Sequence, residues 1–474
     1  MGSLKQHDYS SVEESRRIFD YLCGQFDETA FPSAIKDFKS SIKFTSSRDA
    51  PYFPIPFKET ETTAALKAVE GAVACLLADS VEGEPQTRNV TIDLEKTTAF
   101  LCQAYMAKVG GLGKLDPGVK ARLKDTDLLQ AQSNPYRRMS ANLYETKNPG
   151  EYYHIHGSLE ASTTLKMIGL EPFMPDLKSH EDIVNTIEPA VRKFTIQELE
   201  SMNAVRRQAG VPALKHEDFI KTEHLDLKSS EGRAEFDRLL AEADVVVDGY
   251  RPGALEKLGY GATALTELAK KRGKGFVYVN ENCFGYEGEW AGRPGWQQIA
   301  DCVSGIAWEQ GRFMGLSEPV VPPFPISDYG TGCIGAITAL LGLYHRATTG
   351  GSWHGKASLL HYDLLLFKVG QYPEEVKERL RKDIGPDFLA IRHAHSVDQI
   401  SGTALLRMRN LYPELFTGDK YVEKWYSNAY QAEVEAVPPV VEIEGMDVGF
   451  RRASRPNGAD KPTWDFGDEA DRKL

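Results

Sequence analysis

Apolar and polar positions alternate along this chain in two rhythms, and the longer, helical one dominates. Ser11 to Phe26 reads as a helix and runs on toward a proline-rich passage, Pro51 to Phe57. Residues 61–80 have the composition and spacing of a partly buried helix, Asn89 to Asp93 is a short strand-like run, and residues 94–108 return to helix. Further on, the pattern predicts a helix from Glu231 to Ala243, a β-branched strand from Ala243 to Asp248, a loop from Gly249 to Gly253, a helix from Gly261 to Arg272 and a buried strand from Phe276 to Asn280. Strand, helix and strand joined by short connections indicate an α/β domain with a parallel sheet. Beyond residue 380 the alternation fades into more charged and aromatic sequence, which predicts a smaller, differently built domain.

Composition narrows the classes of function. A chain of 474 residues has room for two or three domains. No window holds the roughly 18 consecutive apolar residues of a membrane helix, so no membrane association is expected. The formal net charge of −12 argues against general nucleic-acid binding but leaves room for a local basic pocket that takes an anionic ligand. Six scattered cysteines without a CxxC pair read as reduced thiols, which predicts a cytoplasmic protein. The closing Arg472-Lys473-Leu474 faintly resembles a peroxisomal address, and mitochondrial placement also stays open.

Two clusters carry candidate chemistry. Asp328 stands just before Gly330 and a helix whose apolar positions Ile334, Ile337, Leu340, Leu341 and Tyr344 share one face. An aspartate there reads first as an N-cap. The same position stabilises an ionised carboxylate, and the nearby glycines would let a ligand approach, which a carboxylate nucleophile requires. His154 and His156 fall on one side of a strand as a possible metal pair, but no third ligand accompanies them and no metal is expected. His393 and His395 read as surface residues.

Three stretches together resemble the family III CoA-transferases, which include formyl-CoA and carnitine CoA-transferases and the related α-methylacyl-CoA racemases. The first is Leu225–Gly232 with Ala243–Gly259, the second Phe276–Asn280 with Phe284–Gly288 and Arg293–Gln297, and the third Ile326–Gly332 with His345–Gly350. Residues 187–222 are similar to a passage that usually lies near the C-terminal end of such enzymes. The first 150 residues lack the strand and loop that supply an active-site glutamine.

The resemblance implies a large Rossmann-like domain, its parallel sheet assembled from distant segments, plus a smaller α+β domain. Its expected divisions are a divergent part at 1–222, a core at 223–375, a small domain at 376–435 and a return segment at 436–474. It also implies coenzyme A as substrate and carrier, acyl-CoA and carboxylic acids as partners, and an interlocked homodimer. Asp328 would be the nucleophile, forming an acyl anhydride and then an aspartyl-CoA thioester, with Gly330, Thr331 and Gly332 lining an oxyanion site. Tyr250 and Ala254 would flank the adenine or pantetheine, and Lys257 would reach a phosphate. Arg251 and Arg293 are further cationic candidates, or solvated surface charges. Trp296 stands where the racemases carry a proton-moving histidine, and indole is no base at neutral pH, which weakens a racemase reading. Two alternatives stay open: an epimerase of the same superfamily using another base, and a CoA-binding relative without turnover.

Overall fold

Helix α1 (Ser11–Gln25) buries Ile18, Phe19, Leu22 and Cys23 and packs on helix α2 (Glu59–Glu82), with strand β1 (Ile42–Thr45) between them in sequence. The computed structural model describes residues 9–25, 30–83, 85–119, 129–157, 160–206, 208–215, 234–257, 259–416, 420–456, 459–460, 464 and 472–473. The Leu225–Gly232 stretch, Ser158 and Gly458 lie outside them. Strand β2 (Val90–Asp93) runs parallel to β1, with Ile42 opposite Val90. Strands β3 (Ala141–Glu145) and β4 (Tyr152–His156) form an antiparallel pair. Helices α3 (His180–Val191) and α4 (Ile196–Arg206) follow, and strand β5 (Val211–Pro212) completes that small sheet. This region has its own hydrophobic cluster, including Tyr136, Tyr144, Ile155, Leu165, Ile187 and Leu199.

The alternation expected in the middle of the chain is present. Helix α5 (Ala234–Glu242), strand β6 (Val245–Asp248), helix α6 (Ala262–Arg272) and strand β7 (Val277–Asn282) follow in order. Helices α7 (Gln297–Ser304) and α8 (Ile326–Thr349) lead to strand β8 (Trp353–Ser358) and helix α9 (Leu359–Val369). The three strands are all parallel, in the order β8-β7-β6. Strands β9 (Glu423–Ser427) and β10 (Ala432–Ala436) belong to a five-stranded antiparallel sheet, and β11 (Val441–Ile443) returns to pair antiparallel with β2.

The protein is therefore mixed α and β. Among the described residues, parallel pairing is divided between β1-β2 and β8-β7-β6, where one large sheet was expected. The α2–α8 pair accounts for the division. Helix α2 packs on β2 and β11, α8 packs on β7 and β8, and the two helices pack on each other, so they separate the sheets. Small residues make that stacking close: Ala64, Ala65, Ala68 and Ala72 of α2 are all fully buried. On α8, a side chain at Gly342 would overlap Val277 of β7. By length and mean hydropathy (1.2) α8 would suffice to cross a membrane, and half of that stretch is buried inside the protein.

Candidate functional site

Strand β6 ends at Asp248 and β7 at Asn282, and the loops beyond them open a cleft of about 710 Å³. Ligand loops gather at this edge of parallel sheets because the crossover connections leave a crevice there. The floor is a polar network. Tyr278 Oη donates to Asp248 Oδ2 at 2.8 Å, Asn280 Nδ2 donates to the same oxygen at 3.1 Å, and His354 Nε2 lies 2.6 Å from Asn280 Oδ1. Tyr250, Arg251, Lys257 and Arg293 line the cleft, and so do Glu256 and Glu281. Arg293 is held by Glu200 of α4 at 2.8 Å. Asn203 of α4 also lines it, with its buried Oδ1 accepting no hydrogen bond. Helix α4 and Gln208 just beyond it, within the stretch 187–222, thus supply one wall of the cleft.

Ala254 and Trp296 are not among the lining residues. Trp296 is 46% exposed and stacks on His156 (centroids 6.0 Å apart), which stacks in turn on His154 at 5.6 Å. Burial holds both imidazoles well below their ordinary pKa, so they are neutral. The surface reading of His393 needs correction: it is half-buried between Glu188 and Glu318, because the loop carrying it packs against α3.

Asp328 is the third residue of α8, two positions past the start of the helix. The N-cap expectation fails for a simple reason: the cap position is Pro325, and the Asp328 carboxylate makes no capping bond. Asp328 is exposed, yet protein crowds its carboxylate enough to raise its pKa to about 6, first through desolvation and then through the charge of Glu281. Glu281 connects the two regions. It lines the cleft, and a side chain on Gly335 of α8 would meet its Oε1 at 3.0 Å. Asp328 itself is not a lining residue.

Gly330, Thr331 and Gly332 sit in the second turn, where helical N–H groups are already bonded to carbonyls four residues back. The N–H groups left over at this helix start belong to Ile326, Ser327 and Asp328. Gly330 instead serves packing, since a side chain there would overlap the Tyr362 ring. Gly332 is exposed, with open space where its side chain would be.

The residues that pattern-reading missed are Glu281, Ser327, Asp301 and Asp363. The last two were detectable as carboxylates inside apolar runs, Ile299-Ala-Asp-Cys-Val303 and Leu359-Leu-His-Tyr-Asp-Leu364. Such a residue is rarely fully buried unless partnered.

The sequence pattern of the family described as CoA-transferase family III matches residues 221–378, which contain the cleft loops, Glu281 and Asp328. An acetyl-coenzyme A transferase, nodX, of Hypoxylon pulicicidum is 26% identical over 87% of this chain and 86% of its own length. The succinyl-CoA–L-malate CoA-transferase beta subunit of Chloroflexus aurantiacus is 35% identical over 33% of this chain and 38% of its own. A crystal structure of Rv3272 from M. tuberculosis, at 18% identity, covers 49% of this chain and 81% of that one with a TM-score of 0.30.

Proposed function

On the premise that the chain is a divergent member of CoA-transferase family III, we propose that it moves CoA between carboxylic acids with Asp328 as the nucleophile. The observation that carries this is the state of one carboxylate. Asp328 accepts no capping bond, meets solvent, and with a pKa near 6 is mostly ionised at neutral pH while remaining a stronger nucleophile than an ordinary aspartate.

In the proposed cycle an Asp328 oxygen attacks the acyl-CoA carbonyl carbon. The C–S bond breaks, and CoA leaves as the thiolate from a mixed anhydride. The thiolate then attacks the Asp328 carbonyl and expels the donor carboxylate, leaving an aspartyl-CoA thioester. The acceptor carboxylate attacks that thioester to give a second anhydride and thiolate, and the thiolate takes the new acyl group, regenerating Asp328. No proton need be gained or lost overall.

CoA fits the cleft by chemistry. Its phosphates are anions, and Arg251 and Arg293, on loops, and Lys257, at the end of the short helix Ala254–Lys257, gather at the end of a parallel sheet. Tyr250, 68% exposed, offers a ring on which adenine would stack. Supporting a Rossmann-like reading of residues 245–358 are three parallel strands with helices between them. The homodimer and the place in the cell are carried as part of the same proposal.

The test is incubation with a panel of acyl-CoA donors followed by intact-mass measurement. An adduct of acyl or CoA mass, released by hydroxylamine and absent in Asp328→Ala, is the expected result. Exchange of the α-proton with deuterated water, without CoA moving between acids, would overturn the transfer reading.

A further inference from the structure

Directly behind Asp328 in sequence, Ser327 points into the protein. Its Oγ lies 3.0 Å from Asp301 Oδ1 and 2.8 Å from Asp363 Oδ1. Both aspartates are completely buried. Their outer oxygens are also engaged: Asp301 Oδ2 with Gln297 Nε2, and Asp363 Oδ2 with Ser304 Oγ at 3.0 Å. A hydroxyl carries one hydrogen and can donate to only one of two carboxylates. Were both ionised, one carboxylate oxygen would face the Ser327 lone pairs without solvent, at a cost that buried charges do not sustain. One carboxyl therefore holds a proton and donates it to Ser327 Oγ, which donates onward to the other.

We propose that Asp301, Ser327 and Asp363 form a one-proton store behind the nucleophile, with the proton on Asp301 and the pair's negative charge, when present, on Asp363, and that this charge is coupled to the ionisation of Asp328. The inference rests on the reading of Asp328 as nucleophile. The assignment within the pair follows from donors. Asp363 receives two hydroxyl donors, from Ser304 and Ser327, whereas Asp301 has the amide of Gln297. Burial and the neighbouring Asp363 push Asp301 well above the ordinary carboxylate range, while burial, offset by the two hydroxyl donors, pushes Asp363 up only to about 7, so Asp363 is the member of the pair that ionises first.

The other ionisable groups facing the pair are Glu59 of α2, Cys302 beside Asp301, Cys283 after β7, and Asp328 itself. Burial holds Glu59 up at about 8 and both thiols up, so near neutral pH these three are mostly neutral and Asp328 is the facing charge. As Asp363 ionises through about pH 7, its charge and that of Asp328 repel across the start of α8. Acylation turns Asp328 into a neutral anhydride and removes that repulsion, so the pair raises the ground state of the nucleophile relative to its product. Asp301 and Asp363 are positioning residues in this scheme and touch no substrate.

The test compares Asp301→Asn with Asp363→Asn in the full chain, by infrared spectroscopy of the resting enzyme and by the acid limb of the kcat/KM–pH profile. Asp301→Asn replaces a protonated acid by an amide that can still donate to Ser327. It should fold, lose one protonated-carboxyl band, and leave the acid limb in place. Asp363→Asn removes the carboxyl that titrates in step with Asp328 and should move the limb to lower pH by up to about half a unit. Equal shifts in both variants, failure of Asp301→Asn to fold, or no band lost in it would each overturn the proposal. The infrared arm needs only wild type and Asp301→Asn, so it decides the proton count even where Asp363→Asn does not fold. It also does so where no adduct forms on Asp328, an outcome that defeats the transferase reading separately.

Discussion

The Glu281 carboxylate, on the wall of the cleft, pushes against the Asp328 carboxylate at the start of α8 and raises its affinity for a proton. Rate should therefore climb with pH through about 6 as Asp328 ionises. Glu281→Gln removes a negative charge, so the acid limb of kcat/KM should move down by up to about half a unit. A limb that stays in place would show that Glu281 contributes nothing to the value.

The same shift has a sign for stability. Asp328 binds its proton more tightly in the folded chain than in the unfolded one, so its contribution is fully present below about pH 4 and is lost as pH rises through about 6. Asp328→Asn should raise Tm at pH 7 and leave it unchanged at pH 4. The gain should be about 1 kcal/mol or less, because the carboxylate meets solvent and is partly screened. Thermal melts at the two pH values check this.

Gly330 and Gly332 should answer differently to the same change. Gly330→Ala drives a methyl into the Tyr362 ring and should destabilise by about 1–3 kcal/mol as α8 and α9 are forced apart. Gly332→Ala meets nothing, and replacing glycine in a helix should stabilise by about 0.5–1 kcal/mol. If acyl-CoA approaches α8 over Gly332, that variant should melt higher and turn over more slowly. Parallel measurement of Tm and kcat/KM separates the two effects.

The core elements were legible because their patterns are local. The strands at 245–248 and 277–282 and the helices around them lie within a residue or two of where spacing puts them, among the described residues. The site was legible only in part. Tyr250, Arg251, Lys257 and Arg293 share one cleft, as residues close in sequence on two connections beyond adjacent strands can be expected to. What spacing could not show is long-range. Glu281 meets α8 at Gly335, 54 positions on in the numbering, and Asp301 meets Asp363 through Ser327 only once three helices have packed. The helix start was misjudged by three residues, since Pro325 rather than Asp328 takes the cap. Proline has no N–H to give up at a helix start, and a pattern of apolar positions does not register that.

His393 ties the region around β3 and β4 to the rest of the chain. Its ring lies 3.0 Å from Glu188 of α3 and 3.1 Å from Glu318, and these partners raise its pKa to about 9 against the cost of burial. The stabilisation is fully present below the unfolded value of about 6.5 and fades as pH rises through about 9. His393→Gln should lose about 1–3 kcal/mol at pH 7, and the deficit should shrink above pH 9. A deficit independent of pH would show that packing against Tyr152, 4.9 Å away, is what matters.

The cleft makes its own prediction about where CoA sits. Three cations and the carboxylates Asp248, Glu256 and Glu281 line it, so it is not a uniformly positive surface, and the cations must act individually. Asp248 is turned toward Tyr278 and Asn280, and Arg293 is already held by Glu200, so Lys257 is the cation to meet a phosphate first, with Arg251 beside it on the same wall. Lys257→Ala should raise the KM for acyl-CoA roughly tenfold, the worth of one charge-assisted hydrogen bond, with little change in kcat or in the KM of the acceptor acid. Added salt should weaken wild-type binding more than binding by the variant, since exposed charges are screened. Arg293→Ala should differ by also lowering Tm, because it removes the ion pair to Glu200 and leaves that carboxylate with the Tyr153 hydroxyl, which donates to it at 2.7 Å. If Lys257→Ala and Arg251→Ala both bind CoA as tightly as wild type, the cleft at the end of β6 and β7 is not where the nucleotide lies, and the acyl-CoA must reach Asp328 from another side of α8.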